Sequence, residues 1–392
     1  MIQDPSCDQK KPSIGTVVVL CPGGLENGGG IGRQMGYFLA AEKDRQSGIR
    51  YRVVDTRGPW FLGASPLLTG CAVFYLLNGA LQLLLLRLSW APGVVHVNIT
   101  GRGSTIRKIV LVTIARALAL RYLLHVHDYD YAKEYHARGK RMQGLIRFMF
   151  RGAAQVLVLG AQVQRTLAPL LQVPSERIQV LHNAVPAPQP RPLAASPDAP
   201  CHLVFLGYLS ARKGVPELLQ ALASPALQAR PWRATLAGGG SVEEFRQQAT
   251  KLGIAGRVDF PGWLEQPAAT ALCADADVLV LPSHAEGLAM AVLEGLAHGL
   301  VVVATPVGAH AEVIEPEISG LLVPPGDADA LAKALARVID DGELRARLRT
   351  GAHRRFLEKF DVRSYAERLG RLHASLLTDR RDLTAIGREQ TS

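Results

Sequence analysis

The stretch DVLVLPSHAEGLAMAVLEGLAHGLVVVATP (277–306) reads as strand, loop, helix and strand. Its apolar runs DVLVLPS (277–283) and LVVVATP (300–306) are short, continuous and rich in valine, the pattern of strands buried on both faces. The segment from about Leu288 has the length of a crossover helix, so the two strands are expected to lie parallel. The same unit recurs upstream in CHLVFLG (201–207), WRATLAGGG (232–240) and RVDFPG (257–262). An earlier series comprises TVVVLC (16–21), RYRVVD (50–55), GVVHVN (93–98), YLLHVHD (122–128) and AQVLVLG (154–160), with helical stretches such as 31–48 and 104–119 between. The alternation predicts an α/β protein of two doubly wound, Rossmann-like domains facing each other across a cleft.

AVPAPQPRPLAASPDAP (184–200), with six prolines, interrupts the alternation and reads as a linker. The expected organisation is an N-terminal domain over 1–184, a linker over 185–199 and a second domain over 200–360. A C-terminal helix over 361–376 and a frayed tail over 377–392 follow. A length of 392 residues suits two domains, and 48% apolar with 20% charged residues excludes a disordered or fibrous chain.

The net charge of +10 is uneven: residues 1–199 carry +12 and residues 200–392 carry −2. A basic front half points to an anionic membrane face or a phosphate-bearing acceptor. Nucleic acid is not expected, because no aromatic-studded basic strand or zinc finger occurs. The five cysteines are widely spaced without a CxxC, which argues against disulfides and zinc. The N-terminal MIQDPSCDQKKPS lacks a signal-peptide core, so the protein is expected in the cytoplasm, or peripheral on the inner face of the cytoplasmic membrane. No charge occurs between Arg57 and Arg87, and AVFYLLNGALQLLLL lies within that stretch. Pro59, Pro66, Asn78 and Gln82 interrupt it, so the expectation is a buried crossover helix, or in the alternative one that also touches the membrane surface, rather than a membrane span.

Five loops carry candidate chemistry. After the strand ending at Pro282, Glu286 and Gly287 precede a helix bearing Glu294, and a helix N-terminus attracts anions. All-helical spacing would separate the two carboxylates by about 12 Å. That exceeds the roughly 5–9.5 Å that flanks one glycosidic bond, so they suit two parts of one elongated ligand. In FLGYLSARKGVPELLQAL (205–222), Gly207 ends a strand, and Arg212 and Lys213 precede a helix, a placement suited to a diphosphate. PGGLENGGGIGRQ (22–34) lacks GxGxxG and reads as a flexible loop bordering the cleft. In LLHVHDYDY, His125 and His127 share a strand face; His127 is a cleft hydrogen-bonder or a structural residue, and no third metal ligand follows from the spacing. NITGRGSTIRK (98–108) offers Arg102, Arg107 and Lys108, either to an anionic acceptor or as a solvated basic face.

FLGYLSARKG, DFPGWL, DVLVLPSHAEGLAMAVLEGLAHG, VVVATPVGAHAEVI and SGLLVPPGDADALAKAL occur in that order. Together they make residues 201–360 resemble the donor half of a retaining GT-B glycosyltransferase of the glycosyltransferase family 4 type. Glu286 and Glu294 match its E-x7-E element. GGGIGR, VVHVN, GRGSTIRK, LLHVHD and LHNAVP make the front half more loosely similar, most like bacterial exopolysaccharide transferases.

The resemblance implies that Arg212 and Lys213 hold the diphosphate of a nucleotide-sugar. Glu286 would hold the donor sugar and Glu294 the ribose. The amides of Gly287, Leu288, Ala289 and Met290 would meet phosphate and sugar, and the backbone of Gly262, Trp263 and Leu264 the base. His127 would reach the sugar, and Gly30 and Arg33 would border the phosphates. It implies no metal, a lean towards GDP-mannose with a UDP-sugar as the other donor, and a lipid-diphosphate-linked or glycan acceptor. Tyr208 stands where the family often has arginine, Leu300 where proline is common, and Ala184 where glycine is usual. A GT-B epimerase or phosphorylase, an NAD-dependent oxidoreductase suggested by Asp55, and a non-catalytic binding protein are the competing readings.

Overall fold

The structure is a computed structural model that describes residues 13–26, 29–57, 66–89, 91–101, 103–189 and 199–378. The first sheet comprises β1 (Gly15–Cys21), β2 (Ile49–Asp55), β3 (Gly93–Ile99), β4 (Arg121–Val126), β5 (Gln155–Val158) and β6 (Ile178–Val180), in the order β2-β1-β3-β4-β5-β6. The second comprises β7 (Cys201–Leu206), β8 (Trp232–Ala237), β9 (Val258–Gly262), β10 (Val278–Leu281), β11 (Val301–Ala304) and β12 (Gly320–Leu322), in the order β12-β11-β10-β7-β8-β9. Every pairing between these strands is parallel. Each sheet therefore has one place where strand order reverses, between β1 and β3 and between β7 and β10. The expected pair of doubly wound domains is present. The short strands β6 and β12 were not among the expected runs, because three residues carry too little pattern to register.

Alternation along β1 shows how one sheet serves two cores. Val17 and Val19 face Phe38 and Met35 of α1 (Gly29–Arg45), whereas Val18 and Leu20 face Leu111 of α3 (Gly103–Ala117) and Leu83 of α2 (Pro66–Leu88). In α1 the buried Met35, Phe38 and Ala41 recur at helical spacing. The GGGIGR segment begins this helix at Gly29, which corrects the flexible-loop reading over much of 22–34.

The uncharged stretch is largely α2, a crossover between β2 and β3 that packs on α3. Its outer face is apolar, with Phe74 65%, Leu77 62%, Leu81 50% and Leu88 59% exposed. Among the described residues no helix is long and apolar enough to cross a membrane.

The chain passes between the domains twice, side by side. Val185 N donates to Phe360 O at 3.1 Å, and Val362 N donates to Val185 O at 3.0 Å. The final helix, Val362–Thr378, then packs on α1, β1 and β3 through Tyr365, Ala366 and Leu369. Most of the proline-rich linker, 190–198, and the tail from 379 lie outside the described residues.

Beneath the final helix lies a file of buried histidines. Tyr51 Oη meets His373 Nδ1 at 3.1 Å, and His373 Nε2 meets His96 Nδ1 at 3.1 Å. His125 stacks beyond His96 with ring centroids 5.5 Å apart, and His127 beyond His125 at 4.0 Å. Burial holds His96 and His125 well below the ordinary range and His373 at about 3.

Above about pH 6.5 these imidazoles are neutral in both folded and unfolded chains and contribute no pH dependence. Below it the unfolded chain takes up protons that the folded chain refuses, so stability falls as pH falls. Each histidine adds up to about 1.4 kcal/mol per pH unit. Unfolding midpoints measured at pH 7, 6 and 5 should drop increasingly steeply, and His373→Gln should flatten that slope by one proton.

Candidate active site

The carboxyl ends of β7 and β10 meet at the switch point of the second sheet. After β7 a single 3-10 turn, Ala211–Lys213, is laid against the end of β10, with His284 N donating to Arg212 O at 2.8 Å. Gly214 makes this possible: its φ is +73°, and a Cβ there would lie 2.0 Å from Pro282 O. The turn delivers Lys213 Nζ to Glu286 Oε1 at 2.5 Å and Arg212 Nη1 to the same oxygen at 3.2 Å. Arg212 also donates to Ala285 O at 2.6 Å and lies 5.7 Å from the Tyr129 ring centre. Glu286 is only 9% exposed, so its charge depends on these cations.

Helix Met290–Ala297 starts beside this cluster, and Ala289 is its N-cap. Buried His310 receives Ala289 N on Nε2 at 3.4 Å and donates from Nδ1 to Thr305 O at 3.1 Å. Burial pushes His310 below its ordinary range, which suits this neutral arrangement. Glu294, one turn into the helix, accepts from Arg33 Nη1 of α1 at 3.0 Å. That ion pair crosses from one domain to the other. Gly30 lies close by, and a Cβ on it would sit 3.9 Å from Met290 Cγ.

The opposite wall comes from the first sheet. His127, just beyond β4, meets Asn98 Oδ1 through Nε2 at 2.9 Å, and burial pushes its pKa down to about 3. With Asn98 accepting, Nε2 carries the proton and Nδ1 remains an acceptor. Gly287 fits beneath: a Cβ there would come 3.3 Å from His127 O and 3.2 Å from Leu159 Cδ1. Two buried carboxylates, three cations and a helix N-terminus thus converge between the carboxyl edges of two parallel sheets. The arrangement can hold an elongated anionic ligand.

Residues 16–184 match the model for the Glycosyl transferase 4-like domain, and residues 193–355 match that for Glycosyl transferases group 1. The chain belongs to the glycosyltransferases. It is 27% identical over 326 residues to 2-deoxystreptamine N-acetyl-D-glucosaminyltransferase of Streptomyces fradiae, covering 78% of this chain and 76% of the relative. It is 32% identical over 179 residues to the lipopolysaccharide core biosynthesis glycosyltransferase LpsE of Rhizobium meliloti, covering 45% of this chain and 51% of the relative. The chain spans about half the length of most curated relatives it matches, from 42% to 76%. The structure of Anabaena HepE in complex with UDP-glucose superposes with a TM-score of 0.68 at 17% identity, over 92% of this chain and 99% of that one. The two sheets and their flanking helices have the GT-B architecture.

In this glycosyltransferase most expected site residues lie along one crevice. Arg212, Lys213, Glu286, Gly287, Leu288, Ala289, Met290, Glu294, His127, Gly30 and Arg33 come from the facing edges. Gly207 follows β7, Gly262 ends β9, and Trp263 and Leu264 follow it, with Trp263 61% exposed. Tyr208 is also 61% exposed, and Arg212 points into the cluster. Ala184 N donates to Gln34 Oε1 at 3.0 Å, and buried Leu300 packs in the core.

Lys108 corrects an expectation. It is fully buried, donates to Thr56 Oγ1 at 2.5 Å, and is pushed down to about 7 by burial, so it cannot touch an acceptor. Arg102 lies outside the described residues, and Arg107 lines a separate cavity. Among the described residues no group of histidine, cysteine and carboxylate side chains has metal-site geometry.

Asn98, Tyr129, His310 and Glu312 were not singled out from sequence. His310 and Glu312 lie in GAHAEV, where a helical turn after a strand was the available signal. Glu312 carries a second tie between domains. Its carboxylate accepts Ala161 N at 2.8 and 3.0 Å and meets His182 Nε2 at 3.1 Å, capping helix Ala161–Leu171 from the other domain. Loss of a helix cap costs about 1 kcal/mol. Glu312→Ala should therefore lower urea-unfolding stability by about that amount and increase the radius of gyration measured by small-angle scattering.

Proposed function

We propose that this chain transfers a sugar from a nucleoside diphosphate sugar to a lipid-diphosphate-linked or glycan acceptor, with retention at the anomeric carbon, in bacterial surface or exopolysaccharide synthesis. The observation that carries the reading is the Lys213–Glu286–Arg212 cluster at the β7/β10 switch point, beside a helix N-terminus and opposite His127. Open α/β sheets hold ligands at such crevices. The UDP-glucose complex of HepE, a protein of the same architecture, supports a nucleotide-sugar donor.

The chemistry follows from charge. As the bond from the anomeric carbon to the diphosphate breaks, negative charge collects on the leaving oxygen. Lys213, Arg212 and the amides of Gly287, Leu288 and Met290 would take that charge, so the reading needs no metal. Glu286 exchanges its cations for sugar hydroxyls, and Glu294 exchanges Arg33 for the ribose, freeing Arg33 for phosphate. Neutral His127 offers the sugar an acceptor nitrogen. The acceptor hydroxyl attacks on the face the diphosphate leaves and passes its proton to the departing phosphate oxygen. Closure of the two domains excludes the water that would hydrolyse the donor. GDP-mannose is the favoured donor and a UDP-sugar the other.

Thermal unfolding with GDP, UDP, ADP, CDP and NAD, each with and without Mg²⁺, tests the donor side. A ligand at 100 times its Kd adds about 2.7 kcal/mol. One diphosphate should stabilise the protein regardless of Mg²⁺, and Glu294→Ala should lose most of that shift. Lys213→Ala should lower kcat by about 10²–10³-fold. A shift with NAD alone would defeat the reading.

The basic front half and the apolar face of α2 support a place on the inner face of the cytoplasmic membrane. Wild-type protein should sediment with phosphatidylglycerol vesicles at low salt, and the double variant Phe74→Ser/Leu81→Ser should stay in the supernatant.

A further inference from the structure

Successive turns of α1 meet the second domain along one stripe. A Cβ on Gly30 would sit 3.9 Å from Met290 Cγ, where helix Met290–Ala297 starts. Arg33 pairs with Glu294, one turn further along that helix. Tyr37, one turn beyond Arg33, lies beside Gln266, the first residue of helix Gln266–Ala274. Tyr37 packs against the cores of both domains, and Leu264, two residues before Gln266, packs against the second. The rise of an α-helix makes the stripe from Gly30 to Tyr37 about 10 Å long.

The far end of the stripe holds polar atoms that bond nothing. Tyr37 Oη and Gln266 Oε1 are both buried, and neither has a well-aligned hydrogen-bond partner among the described residues. Gln266 Nε2 is engaged elsewhere, donating to Thr270 Oγ1 at 3.4 Å. A buried donor or acceptor left unpaired is costly, and folded proteins keep few of them. Here two stand side by side, one from each domain, next to the Arg33–Glu294 pair of the crevice. Burial and the charge of Glu294 push the Tyr37 phenol up to about 12, so it stays protonated and can donate. Gln266 Oε1 can only accept.

The order of groups along the stripe follows the order of groups in a nucleoside diphosphate. In the donor reading the phosphates lie by Gly30 and the start of helix Met290–Ala297, and the ribose lies at Glu294. The base comes next in the nucleotide, and Tyr37 with Gln266 comes next on the protein. We propose that Tyr37 and Gln266 bind the hydrogen-bonding edge of the donor's base and so set which nucleotide is accepted; the assignment rests on the transferase reading above. Tyr37 Oη donates to a carbonyl oxygen or ring nitrogen of the base, and Gln266 Oε1 accepts one of its N–H groups. Donors and acceptors stand in a different order on each base, so a fixed pair leaves the wrong base with unpaired groups. Because Tyr37 belongs to the first domain, reading the base also requires the two domains to be together.

The test measures the Kd of GDP, UDP, ADP and CDP by calorimetry on the full chain. It compares wild type with Tyr37→Phe, Gln266→Leu and Glu294→Ala. In wild type the best and worst nucleotides should differ by roughly tenfold or more, about the worth of one hydrogen bond. Tyr37→Phe and Gln266→Leu should each weaken the best nucleotide by about that factor and close most of the gap. Glu294→Ala should weaken all four alike and keep the gap. Without nucleotide, Tyr37→Phe should melt no lower than wild type, because the hydroxyl it removes bonds nothing there, and this also shows that it folds. A gap that survives in either variant, whether or not all four nucleotides weaken together, would reduce the pair to packing between domains. That result overturns the assignment and leaves the transferase reading standing, as would a wild type that binds all four equally. Failure of every nucleoside diphosphate to bind wild type would overturn both readings.

Discussion

Two buried carboxylates shape the crevice between the halves of this molecule. Glu286 and Glu294 are each 9% exposed, and a carboxylate so far from water needs a cation or a dense set of donors. Glu286 takes both of its cations from the turn after β7, within its own domain. Glu294 takes its cation from α1, in the other domain. The first pairing shapes the crevice floor, and the second draws the Gly29–Arg33 end of α1 over the start of helix Met290–Ala297. Charges that satisfy one another in this way can also change partners. On the proposed function, a diphosphate would supply the anion for Arg212, Lys213 and Arg33, and hydroxyl groups would supply donors for the released carboxylates.

The covalent architecture supports such an exchange. The chain crosses between domains at Val185 and again at Phe360–Val362, and the two passes are hydrogen-bonded to each other. The final helix therefore belongs physically to the first sheet, although it follows the second in sequence. Two adjacent passes of chain join the domains. The ties at Arg33–Glu294 and at Glu312 lie away from those passes and bear on how far the edges part. The histidine file beneath the final helix fixes its seat on β3 and β4, and His127 ends that file at the crevice.

The two sheets have one switch point each. Both arise from the same rule of parallel sheets: the chain starts in the middle, and loops on either side of the reversal diverge and leave a crevice. In the second sheet the loops bring cations together with a carboxylate. In the first they bring together Arg57, Arg107 and the N-terminus of α3. The difference in sequence between ARKG and AEG on one side, and GRGSTIR on the other, thus becomes a difference in the charged groups that line each crevice.

Periodicity alone made the α/β alternation legible, because a strand buried on both faces must be a continuous apolar run. The crevice residues were legible for a related reason. A loop between a parallel strand and its helix always opens at the carboxyl edge, so Lys213, Glu286 and His127 were placed at the crevice by local order. Other features depended on which surfaces meet. Lys108 and Arg107 are neighbours in one basic run, yet helical rotation buries the first beneath Thr56 and turns the second into a cavity. Arg33 and Glu294 lie 261 positions apart, and only the approach of the two domains makes them an ion pair. Glu312 caps a helix 151 positions away, and His373 reaches the core of a sheet whose last strand ends at Val180. The sequence by itself determined the elements, their parallel sense and the edge where chemistry collects, since these follow from nearest-neighbour pattern and chain direction. The tertiary structure alone decided which charges are buried, which are paired and which remain for a ligand, since desolvation and pairing depend on groups that the chain brings together only when it folds.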